Sequence, residues 1–288
     1  MRADLDLLLT AVFCTADDLL PEGKNNARRR LTDAEVVTLC VAQSIMGIPS
    51  DRRFLAVAKK RLAHLFPELP AQPGLHKRRA RLTETIEWLT GIFASQSPGS
   101  EDDLLLVDST PVECARSRET AQRSQLGDAA DYGWCASHSR FFWGFRLHAL
   151  FAPDGTPRAL RLTSPKTGER EVALEMLGQT LKGGETVLGD KGYAGAEFEA
   201  SVADLGGTMV RPRRKDEGPM SANLAPIRQR IESIFWTCKD ILTLERHGAR
   251  TLNNLRARLA QRFLTLAACV WLNHQLGRPS RALVDYVA

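Results

Sequence analysis

The sequence predicts a mixed α/β protein, a sheet with helices on its faces, preceded by an all-helical N-terminal domain. Three observations predict it. Apolar residues recur with a helical period up to residue 97. After the Ser/Pro/Gly stretch "ASQSPGSEDD" (94–103) the pattern changes to short apolar runs and alternation. From there the order reads strand, hairpin strands, helix, strand, helix, strand, helix, which sets helices against a mixed sheet. Two domains are expected, a helical one over 1–97 and a sheet domain over 98–288 that includes the C-terminal helices.

In the first domain, "LTDAEVVTLCVAQSIMG" opens with Thr32 and Glu35 at capping-box spacing. "SDRRFLAVAKKRLAHLF" is a second amphipathic helix closed by Pro67, and "GLHKRRARLTETIEWLTGIFA" reads as a third. In the second domain, "LLLVDSTP" is a short strand ending at Asp108. "FFWGFRLHALF" alternates, with Phe145, Leu147, Ala149 and Phe151 on one face and Arg146 and His148 on the other. The turn "PDGTP" joins it to "RALRLT" as a hairpin. "EREVALEMLGQTL" is a helix, "ETVLGDKGY" a strand ending in Asp190, "AEFEASVADLGG" a helix and "TMVRP" a fifth strand. "RQRIESIFWTCKD" is a helix whose stripe is Ile227, Ile231, Ile234, Phe235, Cys238 and Leu242. "ARTLNNLRARLAQRFLTLAACVWLNHQLG" and a short tail close the chain. Residues 116–141 are polar and are expected to be a loop.

Composition narrows the function. A hydrophobic content of 43% with 25% charged residues is that of a soluble globular chain. No apolar run has transmembrane length, and the acids within "MRADLDLLLT" argue against a signal peptide. The six cysteines are scattered without a C-x-x-C, which suits a reducing cytoplasm and argues against a zinc site or a disulfide framework. The net charge of +5 divides into +3 over 1–97, −6 over 98–204 and +8 over 205–288. Basic ends favour a polyanion, nucleic acid above all. An acidic centre suits divalent cations.

Asp108 and Asp190 share a context, each after a short apolar strand, and ligands of open α/β sheets collect at the carboxyl ends of strands. Glu232, on the edge of a core-packed helix, can supply a third carboxylate. Along that edge Arg228, Glu232 and Lys239 fall within about 40° of one another, although Lys239 lies about 16 Å along the axis from Arg228. Three crowded carboxylates repel and titrate together. Hard oxygen donors select magnesium or manganese, and two such ions about 3.5–4 Å apart could drive phosphodiester chemistry. A Ser–His–Asp hydrolase from Ser109, His148 and Asp190 is disfavoured because no G-x-S-x-G elbow is present.

These blocks resemble the three acidic blocks of the DDE transposases of bacterial insertion sequences: "LLLVDSTP", "VLGDKGY" and "IRQRIESIFWTCKD". Arg228, Glu232 and Lys239 fit that group's third-block signature of Arg, three residues, Glu, six residues, Lys; its frequent leading Tyr is replaced by Ala225. The resemblance covers about 103–275. Separations of 82 and 42 residues between the acids leave no space for a large insertion before Glu232.

The resemblance implies an RNase H-like catalytic fold in which Asp108, Asp190 and Glu232 are catalytic and hold two Mg2+ or Mn2+ ions. It implies cleavage at the element's ends and 3′-hydroxyl strand transfer into target DNA. Arg228, Lys239, Arg211, Arg213, Arg214 and Lys215, with Arg256, Arg258 and Arg262, are expected on phosphate, and the N-terminal helices on the terminal inverted repeats. A homodimer on double-stranded DNA, no membrane association, and a cytoplasmic, nucleoid-associated location in bacteria are expected. Alternatives are a metal-dependent endonuclease without strand transfer and a catalytically silent DNA-binding protein. His148, on the polar face of its strand, is placed either near the metals or in a structural role.

Overall fold

A computed structural model describes residues 4–21, 30–135, 139–213 and 224–287, excluding the side chains of Ala225 and Arg228. Local chemistry starts the first three helices. Asp4 caps α1 (Leu5–Leu19) by accepting from Leu7 N. Thr32 and Glu35 form the expected reciprocal box on α2 (Asp33–Ile45). Ser50 caps α3 (Asp51–Arg61). The third sequence helix is in fact two, α4 (Gln72–Arg81) and α5 (Thr83–Ser95). At the break, Thr83 Oγ1 donates to Ala80 O at 3.0 Å, the local side-chain competition that favours leaving a helix.

The chain divides into two compact units, residues 1–97 with 237–288, and residues 98–236. The C-terminal helices, expected with the sheet domain, therefore group with the N-terminal helices. The reason is α10 (Leu252–Gln275), which is buried around its circumference from Leu255 to Asn273. A helix buried on all sides needs other helices about it, and α1, α2 and α5 supply them, with Phe93 edge-on to Trp271 at 5.2 Å. The division falls inside α9 (Ala225–Asp240).

The helical unit also buries charge. Asp51 accepts two parallel bonds from Arg79 (both 3.0 Å) and one from Arg258 (2.7 Å), while Gln43 bridges all three. Arg262 is satisfied by Thr243 and by Arg258 O. Arg258 and Arg262 are 6% and 1% exposed. They belong to the helical core and not to a phosphate-binding surface, contrary to the sequence expectation.

The described residues of 98–236 hold six strands: β1 (Leu104–Ala115), β2 (Asp131–Cys135), β3 (Arg140–Phe151), β4 (Pro157–Thr163), β5 (Thr186–Leu188) and β6 (Thr208–Val210). The sheet order is β2-β3-β1-β5-β6, and β4 flanks the second half of β3. β1 to β4 pair antiparallel, whereas β1, β5 and β6 run parallel. This is the mixed sheet with flanking helices that the sequence predicts. The expected loop 116–141 is only partly loop: α6 (Arg118–Gln122) and β2 lie within it. Five residues were too few for the alternation of Tyr132 and Trp134 to stand out.

β1 also runs on past Asp108. Beyond Leu106 it pairs only with β3 among the described residues, so Pro111, which has no N–H, sits on an open edge where none is needed. Val107 and Leu150 face α7 (Glu169–Thr180) and α8 (Ala196–Asp204) in a core with Val172, Met176, Leu177 and Phe198. The opposite face carries Leu106, Asp108 and Phe151.

The helical unit yields a stability prediction. Burial opposes ionisation of Asp51, but the bonds and charges of Arg79, with the charge of Arg258, outweigh it and hold the carboxyl well below its usual range. Its stabilisation is complete above the ordinary carboxylate pKa of about 4 and drains as pH falls below it. Asp51→Ala leaves two buried guanidinium groups uncompensated and costs about 3–5 kcal/mol at pH 7 in urea unfolding. The gap to the parent narrows on acidification; a gap that widened toward acid would contradict this account.

Candidate active site

The register of β1 against β5 sets the site. Leu104, Leu105 and Leu106 pair with Thr186, Val187 and Leu188. Asp108 and Asp190 each lie two residues beyond the last pair, so both carboxylates arrive at one level. There β5 has ended while β1 continues, which leaves an open notch beside Asp108. The backbone holds each acid locally. Ser109 N donates to Asp108 Oδ1 at 2.7 Å. Gly192 N, in a short helical turn over Lys191–Tyr193, donates to Asp190 Oδ1 at 2.7 Å.

Two glycines are required by close approach. A methyl group on Gly189 would lie 2.7 Å from Met209 Cε and 2.8 Å from Tyr193 Cδ2. One on Gly192 would lie 2.9 Å from Asp190 Oδ1 and 3.6 Å from Glu169 Oε2, filling the space between the two carboxylates.

Glu232 is carried by α9. Phe235 stacks edge-on against Phe151 at 5.7 Å and lays α9 on the sheet face that bears Asp108. Ile231, Ile234 and Phe235 are buried as the helical stripe requires, while Glu232 is exposed. Burial raises the Asp108 carboxyl to about 7; the Ser109 amide opposes the rise, and the charges of Asp190, Glu169 and Glu232 add to it. The charges of the other two expected acids, Asp190 and Glu232, thus both act on Asp108. Among the described residues, no three such side chains stand close enough to grip an ion as they are.

A profile of the transposase DDE domain family matches residues 99–268. The chain belongs to that family. Comparison with curated proteins and with solved structures gives no match. As a transposase of the DDE family it is an enzyme of transposase-type nuclease chemistry, with DNA as its substrate. No helix among the described residues is long and apolar enough to cross a membrane.

The other sequence candidates fall in different places. Lys239 is partly buried and pairs with Glu245 at 3.4 Å. Arg211 is paired with Glu199 at 2.7 Å, Arg213 is exposed beyond β6, and Arg256 pairs with Glu87 at 3.3 Å. Arg214, Lys215 and the Arg228 side chain lie outside the described residues. His148 is fully buried on the α7 face, opposite Asp108; it meets Thr163 Oγ1 at 3.0 Å, and burial, with Arg146 beside it, pulls its imidazole down to about 4. That is a neutral structural histidine. Ser109 Oγ bonds Glu169 and Arg146, so the Ser–His–Asp arrangement is absent.

Sequence reasoning missed Glu169, Arg146 and Tyr193. Arg146 joins Glu169 Oε1, Ser109 Oγ and Trp134 O. Tyr193 is buried with no partner for its hydroxyl among the described residues; burial, then Asp108, Glu169 and Asp190, push that phenol well above its usual range. Glu169 carries no signal of its own, being one more acid in a helix's first turn.

Gly192→Ala is expected to displace the Asp190 carboxylate. A shift of about 1 Å at a reacting centre can cost on the order of 10²-fold, so DNA cleavage should fall by about that factor while melting temperature changes little. Full activity in this variant would show that the cradle has room to spare.

Proposed function

We propose that this transposase cuts DNA at the ends of an insertion sequence and joins the freed 3′-hydroxyl to target DNA. The observation that supports the reading is the register that brings Asp108 and Asp190 to one level at the carboxyl ends of the parallel strands, with Glu232 among the charges that act on Asp108. A divalent ion fits the donor set. The donors are hard carboxylate oxygens, and a cation would offset both the burial that raises Asp108 and the repulsion from neighbouring acids that adds to it. Asp108, Asp190 and Glu232 would hold Mg2+ or Mn2+, two ions per site. What such ions supply is a water of lowered pKa and stabilisation of charge on the departing oxygen.

In the first displacement a water oxygen attacks phosphorus at the element's end, and the bond to the 3′ oxygen breaks, leaving a 3′-hydroxyl. In the second, that hydroxyl attacks a target phosphodiester and a target 3′ oxygen departs. Arg228, Lys239, Arg211, Arg213, Arg214 and Lys215 grip backbone phosphate and orient the strands. For Lys239 this means exchanging Glu245 for a phosphate. The helical segment 1–97 reads the terminal inverted repeats. Two ends joined to one target imply a homodimer on DNA, and the substrate implies a nucleoid-associated enzyme of the bacterial cytoplasm.

The test is cleavage and joining of an inverted-repeat substrate with Mg2+. The parent protein should give both products, and Asp190→Ala should give neither while still binding DNA. Cleavage without joining would favour a simple endonuclease; binding without cleavage by the parent would favour a silent DNA-binding protein. A second expectation concerns Arg213→Ala. Loss of one phosphate contact weakens binding about equally across sequences and lowers the slope of log K against log salt by about 1. An unchanged slope removes Arg213 from the DNA interface.

A further inference from the structure

Helix α7 begins with Glu169 and Arg170, two neighbours with different partners. Glu169 Oε1 accepts from Ser109 Oγ at 3.1 Å, and Ser109 N is the donor that holds Asp108. Arg170 Nε donates to Gly192 O at 3.1 Å, and Gly192 N is the donor that holds Asp190. Each of the first two residues of one helix thus grips the residue whose backbone amide fixes one aspartate. Arg146 closes the first arm, bonding both Glu169 Oε1 and Ser109 Oγ. The arms converge: with legs of 2.9 and 3.6 Å to one point on Gly192, Asp190 Oδ1 and Glu169 Oε2 are at most about 6.5 Å apart.

We infer that Glu169 and Arg170 form a positioning clamp that sets the separation of Asp108 and Asp190. The inference rests on the reading of those two aspartates as the metal-holding pair. Neither residue touches the reacting atoms; both act through Ser109 and Gly192. The geometry requires one rigid element to span both strand ends. α7 is anchored for this by Val172, Ala173, Met176 and Leu177 in the core beneath. Two aspartates fixed independently would drift apart under their own repulsion. With Ser109 of β1 and Gly192 of the turn after β5 tied to adjacent residues of one helix, the separation is set by that helix's backbone.

The clamp makes a crossed prediction. Amide exchange of Ser109 and Gly192 is followed by NMR in the full chain without metal, beside Mn2+-dependent cleavage kinetics. Glu169→Ala should speed exchange at Ser109 and leave Gly192 protected; Arg170→Ala should do the reverse. Each should lower kcat for cleavage by about 10-fold or more, the usual effect of removing an outer support, with KM for DNA unchanged. Glu169→Gln, which keeps an acceptor for Ser109, should restore protection there. Unchanged exchange at both amides, or equal acceleration of both in either variant, overturns the clamp, the second because it marks general loosening. The crossed exchange pattern in a protein whose parent form cleaves no DNA would uphold the clamp and reject the proposed chemistry, so the two failures separate.

Discussion

The constraint on which the site depends is a mismatch of strand lengths. β5 stops at Leu188 while β1, in parallel register with it, continues to Ala115. Had both strands continued, ladder hydrogen bonds would have closed the space beside Asp108. Because one stops, a carboxylate in mid-strand faces open space at the level where the next strand's loop delivers another. Like charges are then forced together, and desolvation and repulsion outweigh the single Ser109 amide, which is why Asp108 rises to about 7. The cradle at Gly192, the amides on the two aspartates and the bonds around Ser109 all answer that crowding.

Around this notch the sheet divides its labour by face. Val107 and Leu150 spend the α7 face on hydrophobic burial, and each large apolar side chain so buried contributes about 1.5–3 kcal/mol. The other face carries Asp108, and there Phe151 and Phe235 fix the helix that brings Glu232. The glutamate itself stays exposed. Its place is determined by its apolar neighbours on the helix, so the core does the positioning. Within the helical unit the opposite choice is made. Arg79, Arg258 and Arg262 are drawn inside and satisfied by Asp51, Gln43 and backbone oxygens, at the cost of desolvation that pulls Arg262 down to about 9.

Those arginines mark where sequence reasoning stops. The period of "RQRIESIFWTCKD" gave the helix and its buried stripe because both follow from local geometry. The strand contexts of Asp108 and Asp190 were legible for the same reason. Arg213 and Arg258, by contrast, look alike in a charge count; one is exposed, and the other is buried against Asp51, some two hundred residues away in the chain. The grouping of α10 with the N-terminal helices was hidden for a like reason, since all-round burial says that partners exist but not which. β1 was read as ending at Asp108 because Asp, Ser, Thr and Pro spell a turn; an open edge made them a strand. Glu169 could not be singled out at all, since an acid in a helix's first turn is expected for the macrodipole alone.

The three acids are also held by different means, and the difference bears on how the site tolerates its own charge. Asp108 and Asp190 accept bonds from amides one and two residues ahead, so short stretches of backbone fix them. Charge-assisted bonds of this kind are about twice as strong as neutral ones and favour the ionised form. Among the described residues Glu232 accepts no comparable backbone bond, since its own helix uses the amides ahead of it. It is the member free to adjust. A pair of aspartates held by backbone and a glutamate carried on a core-packed helix therefore make a site that is rigid where two strands meet and compliant on its third side.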